Sequence, residues 1–207
     1  MNASIRLFNE KGMANVRLQQ IANDIGISVG NLAYHFRNKE AIIDAINEEA
    51  STAISEILSA YRIFPNLIDF DNQLEKYFQF LQTYPFYFVD LLELERQFPF
   101  KKSSHKDNIS KMMSQIHKRF DFNQQRGIIK PESQVGVYKR VATAIWVLIS
   151  FWKPQNLVRG TLDQAKQKRN FKEIIWNQVY PYLSEKGVAE FQQLILPILE
   201  QTSSDNS

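Results

Sequence analysis

Asn31, Tyr34, His35, Arg37 and Lys39 crowd into one short stretch, and no acidic side chain occurs anywhere from residue 25 to residue 39. The amide of Asn31 presents a donor beside an acceptor, the pattern that pairs with the edge of an adenine, while Val29 and Ala33 can meet a thymine methyl. Tyr34, His35 and Lys39 carry groups suited to phosphate oxygens, which position a protein on a duplex without reading its sequence. Gly30 lacks a Cβ and permits close backbone approach. Such a set has use only if a scaffold turns these groups to the same side.

The flanking sequence supplies that scaffold. Leu18, Ile21, Ala22 and Ile25 recur at i, i+3, i+4 and i+7, one face of a helix. Gly26 can take the left-handed conformation that ends this helix, Ile27 can pack beneath the corner, and Ser28 is a favourable N-cap for a helix over 29–36. Leu32 and Phe36 then point inward, and Val29, Gly30, Ala33 and Arg37 outward, with Asn31 and Tyr34 beside them. This is the outline of a helix-turn-helix whose second helix enters a major groove. A helix over 2–11, with Ile5 and Phe8 inward and Gly12 as its stop, completes the unit. Arg17 and Lys39 stand at the positive ends of helices, where a cation is misplaced unless an anion compensates it; a DNA phosphate would do so.

The run Leu7-Phe8, Glu10-Lys11-Gly12, Ile21-Ala22, Gly26-Ile27-Ser28, Gly30, Leu32, Tyr34-His35-Phe36 and Asn38-Lys39-Glu40 resembles the TetR/AcrR family of one-component regulators. The resemblance covers residues 3–48; beyond them only the plan is similar. It implies an all-α chain, with a DNA-binding domain over 1–48 and a helical effector-binding and dimerising domain over 49–200. It places DNA contacts at Val29, Asn31, Tyr34, His35 and Lys39, with Arg17, Ser28, Gly30 and Ala33 completing the candidate surface. Two positions depart from the family pattern: Arg17 stands where Ser or Thr is usual, and Ala33 where Tyr is usual. Members generally carry several more residues before the first helix, often a basic arm, and a shorter start would mean less phosphate neutralisation.

Composition agrees with a packed helical protein. The 207 residues are 44% hydrophobic and contain no cysteine, which excludes disulfides and thiolate chemistry and fits a reducing cytoplasm. The net charge of +3 is too small to identify a partner. The N-terminus does not read as a signal peptide, and the uncharged run over 141–152 is too short for a membrane span, which needs about 20 residues. A cytoplasmic protein without a membrane association is expected.

After a long helix over 38–60, the connector 61–69 and helices over 71–83, 85–97 and 103–125 are expected. Residues 61–100 hold 12 of the 26 aromatic residues. Tyr77, Phe80, Tyr84, Tyr87 and Phe88, together with Trp146, are candidates for the wall of an apolar effector pocket, with core packing as the alternative. Glu93 and Arg96 read as a surface ion pair, and residues 101–106 as a solvated basic loop. The segment 135–152 is a helix whose later turns are apolar all round and need cover all round. Further helical stripes follow from Phe171 to Leu183 and from Val188 to Leu199, with Pro197 ending or kinking the last. Val141, Ile145, Leu148, Trp152, Ile175 and Val179 are candidates for an isologous dimer seam, against the alternative of a helix buried within one subunit. Residues 201–207 read as a disordered tail.

Together these features predict a homodimer on a palindromic double-stranded DNA operator. From the resemblance, it would be a repressor released by a small, largely apolar ligand, with activation by the same geometry as a variant. The competing reading is a ligand-binding or scaffold dimer whose DNA-binding unit has decayed. No phosphate loop, nucleophile elbow or metal-binding spacing supports an enzyme, a cofactor or a metal site, and His105 and His117 are expected at the surface.

Overall fold

The computed structural model describes residues 1–59, 65–89, 102–160 and 163–201, the side chains of 87, 102–105 and 165 excepted. Among these residues the fold is all-helical. In chain order the helices are α1 (Asn2–Lys11), α2 (Leu18–Asp24), α3 (Val29–His35), α4 (Lys39–Ser59), α5 (Leu67–Thr83), α6 (Pro85–Val89), α7 (Lys102–Gln125), α8 (Val137–Arg159), α9 (Gln164–Val179), α10 (Glu185–Leu194) and α11 (Leu196–Gln201). Short 3-10 turns lie at Met13–Asn15 and Tyr180–Tyr182, and Ile129 and Leu183 form an isolated antiparallel bridge.

Helices α1 to α3 close a small unit over Ile5, Phe8, Ile21, Ala22 and Leu32, all buried. Ile25 belongs to the same helical stripe in the sequence but lies 46% exposed, because α2 ends at Asp24 and the chain has already begun to turn. The stripe Ile42, Ile43, Ile46, Ala50, Ile54 and Leu58 buries one face along the whole of α4. One rod thereby joins the N-terminal unit to the larger helical body, and the core is continuous through both.

Helix α5 begins at Leu67, four positions before the start expected at Asp71, because the Asn66 side chain accepts the Asp69 amide at 2.9 Å and caps it there. Asp71 is therefore inside the helix and buried. Its carboxylate takes the Lys172 ammonium at 2.9 Å and the Trp176 indole N–H at 3.0 Å, and Lys172 also reaches Glu75 at 3.1 Å. Buried charges persist only when paired and hydrogen-bonded, so this cluster fixes the register of α9 on α5. Alongside it, Arg119 of α7 pairs with Asp69 at 2.5 Å and donates to Gln73 at 2.9 Å.

The C-terminal helices differ from expectation in three places. The segment expected as a basic loop is helical from Lys102. Helix α8 runs through Pro154 to Arg159 rather than stopping at Trp152; packing on α6, α7 and α9 holds it, and the Lys153 ammonium donates to Gln82 of α5 at 2.9 Å. The last stripe divides at Ile195, with Pro197 in the first turn of α11, where its missing N–H is tolerated. Gly187 lets α10 approach the 127–129 segment: a Cβ there would sit 2.1 Å from the Ile128 carbonyl oxygen. The Glu93–Arg96 pair and the tail beyond Gln201 lie outside the described residues.

Lys172→Ala leaves the Asp71 carboxylate buried without its cation. A loss of about 3–5 kcal/mol is expected, measured by urea denaturation; an unchanged midpoint would show that the cluster does not bear on stability.

Candidate nucleic-acid interface and effector cavity

The turn between α2 and α3 is built from local bonds. Gly26 adopts a φ of 70°, the Ile27 amide donates back to the Ala22 carbonyl at 3.0 Å, and the Ser28 hydroxyl accepts the Asn31 amide at 3.1 Å. Leu32 is buried and Phe36 half-buried, which fixes the rotation of α3. The opposite side is open. Gly30, Asn31 and His35 are exposed, Val29 and Ala33 are half-buried, and Tyr34 is 86% exposed with its ring edge-on to His35 at 5.3 Å. Tyr34 does not pack on α1.

The two flanking cations differ. Arg17 is exposed at the N-cap of α2, where Gln20 Oε1 accepts its backbone N–H at 2.7 Å. A guanidinium has no acceptor to return to the helix, so its charge is directed outward. Lys39 is half-buried, and its ammonium donates to the Met13 carbonyl at 3.2 Å. It ties the start of α4 to the turn after α1, while Asn38 caps α4 by accepting the Ala41 amide at 2.9 Å.

In the larger helical body a cavity of about 430 Å³, counting its open mouth, lies between α4, α5, α6, α7 and α8. Tyr77, Phe88 and Trp146 line it, with Ile54, Met112 and the polar Asn108 and Ser150. Phe80 and Tyr84 do not line it. They pack against each other with ring centroids 5.1 Å apart, and the Tyr84 hydroxyl donates to Glu49 of α4 at 2.6 Å. Burial and this carboxylate push the Tyr84 phenol up to about 12. Tyr84 thus holds α4 against the α5–α6 corner instead of facing a ligand. The Tyr87 side chain lies outside the described ones.

The seam residues also need correction. Val141, Ile145, Trp152, Ile175 and Val179 are all buried within the subunit, because the inward stripe of α8 and the facing side of α9 cover one another. Leu148 alone of the six stays partly exposed. The outward stripe of α8 instead carries Ala144, Val147, Leu148, Phe151 and Val158, with Phe151 62% and Val158 89% exposed.

Residues 1–46 match the family model for bacterial regulatory proteins of the tetR family, and residues 51–191 match a second model described as bacterial transcriptional repressor. The chain belongs to the tetR family. It is a DNA-binding transcriptional regulator by family, and the family is not one of enzymes. A curated relative, an uncharacterized HTH-type transcriptional regulator (YerO) of Bacillus subtilis, is 46% identical over 43 residues, which are 21% of this chain and only 15% of that protein.

Among solved structures, a TetR-family transcriptional regulator from Marinobacter aquaeolei is 27% identical with a TM-score of 0.82, covering 97% of this chain and 95% of the other. The ketosteroid transcriptional regulator KstR2 of Mycobacterium tuberculosis is 18% identical, with a TM-score of 0.62 over 88% of this chain and 92% of its own. A regulator from Saccharomonospora viridis in complex with choline is 16% identical, with a TM-score of 0.64 over 88% and 95%. No helix among the described residues of this tetR-family chain is long and apolar enough to cross a membrane, and no three side chains among them group as metal ligands.

Several contributors escape sequence reasoning. Asn9 of α1 donates to the Thr83 carbonyl at 3.3 Å and accepts the Phe86 amide at 3.4 Å, while Phe8 and Phe86 meet edge to face at 5.9 Å. An asparagine on the polar side of a helix carries no periodic signal for such a contact. Ser28→Ala removes the cap of α3. It is expected to cost about 1 kcal/mol, lowering Tm by roughly 2–4 °C; calorimetry that finds no change would show the cap to be dispensable.

Proposed function

We propose that the chain is a homodimeric repressor acting in the cytoplasm, which binds a palindromic DNA operator and is released by a small, largely apolar effector. We read residues 1–48 as the DNA-binding domain and 49–200 as the effector-binding and dimerising one. The observation that carries the reading is the open face of α3: an acid-free set of groups held outward by a buried Leu32 and a capped N-terminus.

In this reading Asn31 reads a base edge, Val29 and Ala33 offer apolar contact, and Gly30 admits the groove wall. Tyr34, His35, Arg17 and the Lys39 ammonium, which has three donors, anchor phosphates. Ser28 acts through the cap. A single α3 makes too few contacts for selectivity, and two related by a two-fold axis read half-sites one or more helical turns apart, roughly 34–36 Å or a multiple. The outward stripe of α8 supports the dimer, since a row of exposed apolar side chains on one helix suits an isologous contact. The cavity between α4 and α8 is the effector site. Effector binding favours a second spacing of the recognition helices only through its differential affinity for the two states.

Selection of bound fragments from a genomic DNA pool tests the reading. A folded dimer that retains no fragment at low salt would favour the scaffold alternative. Asn31→Ala is expected to cost about 1–3 kcal/mol and to relax preference at one base pair; equal weakening on all sequences would remove Asn31 as a reader. Phe151→Asp is expected to give a folded monomer with operator binding lost, checked by sedimentation and circular dichroism. A variant that remains dimeric would place the seam elsewhere.

A further inference from the structure

Among the described residues, two buried tyrosine hydroxyls find partners. That of Tyr84 donates to Glu49 at 2.6 Å, and that of Tyr138 donates to the Lys130 carbonyl. Tyr77 is the exception. It is only 3% exposed and lines the cavity, yet its hydroxyl makes no hydrogen bond among the described residues. A buried hydroxyl without a partner is unfavourable, and burial pushes its ionisation far above the ordinary range, so it remains a neutral donor.

The cavity's other described walls are Phe88, Trp146 and aliphatic side chains, with the uncharged Asn108 and Ser150 as further polar groups. No charged side chain is among them. Arg119, whose charge reaches the Tyr77 hydroxyl, is already paired with Asp69, so an ion would lose its hydration without gaining a countercharge from the described walls.

The geometry points to an uncharged effector carrying a carbonyl or similar acceptor oxygen, with the Tyr77 hydroxyl as its hydrogen-bond donor. This rests on the reading of the cavity as the effector site, and it names the ligand class of that site. Phe88, which the ligand would touch, lies on α6, two residues from Phe86, whose ring packs on Phe8 of α1. A ligand seated here therefore presses on the helix that meets the DNA-binding unit.

The test uses the full chain and four naphthalene probes: 2-acetonaphthone, naphthalene, 2-naphthoate and (2-naphthylmethyl)trimethylammonium. Binding is read from tryptophan fluorescence and, with a selected operator fragment, from DNA release. The ketone is expected to bind, naphthalene about tenfold more weakly, and both ions about a hundredfold more weakly or worse. Tyr77→Phe should abolish the preference of ketone over naphthalene without lowering the Tm of the unliganded protein, since the hydroxyl it removes has no partner among the described residues.

An ion that binds as well as the ketone and releases DNA would overturn the ligand class and leave the effector site standing. A Tyr77→Phe protein that keeps the full preference would overturn the role of the hydroxyl. Absence of any probe binding would overturn the site and the class together.

Discussion

The edge-to-face contact of Phe8 with Phe86, flanked by the two hydrogen bonds of Asn9 to the α5–α6 corner, is the constraint on which a two-part molecule of this kind depends. Two small helical bodies sharing only the rod of α4 could rotate about it. The Phe8–Phe86 contact and the Tyr84–Glu49 bond add two further points of attachment, one to α1 and one to α4 itself. The short helix α6 carries Phe86 toward α1 and Phe88 toward the cavity, so one element borders both surfaces.

Helix α8 shows how one element can satisfy two demands. Its inward stripe, from Tyr138 through Val141, Ile145 and Ile149 to Trp152, is sealed by α7 and α9, with the Tyr138 ring stacked on Phe120 at 4.4 Å. Its outward stripe retains Val147, Phe151 and Val158 exposed. A helix that is apolar on every side has no polar face to give to water. The cost of that composition is offset only if both stripes are eventually covered. The buried Asp71–Lys172–Trp176 cluster anchors α9 behind it, giving the outward stripe a rigid backing.

Much of the DNA-facing unit was legible in the sequence, and the reason is locality. A left-handed glycine at 26, a capping serine at 28 and a stripe at 3.6-residue spacing act within a few residues of themselves. They therefore mean the same thing whatever the remainder of the chain does. Ile25 failed because a helix end, unlike a helix face, is set by the turn that follows. Lys39 was placed correctly at the start of α4, but its bond to Met13 spans 26 residues and leaves no trace in spacing.

The larger body is the reverse case. Periodicity found its helices, yet it cannot rank two apolar stripes on the same helix, so residues that face α9 were taken for a seam. Aromatic enrichment marked the neighbourhood of the cavity but could not separate Tyr77 and Phe88, which line it, from Phe80 and Tyr84, which brace the corner behind it. The sequence by itself determined the helices and the turn between α2 and α3, because propensity, capping and periodicity are short-range. Only the tertiary structure decided which apolar faces meet, which charges are buried together and which hydroxyl lacks a partner, because those depend on contacts between residues tens of positions apart.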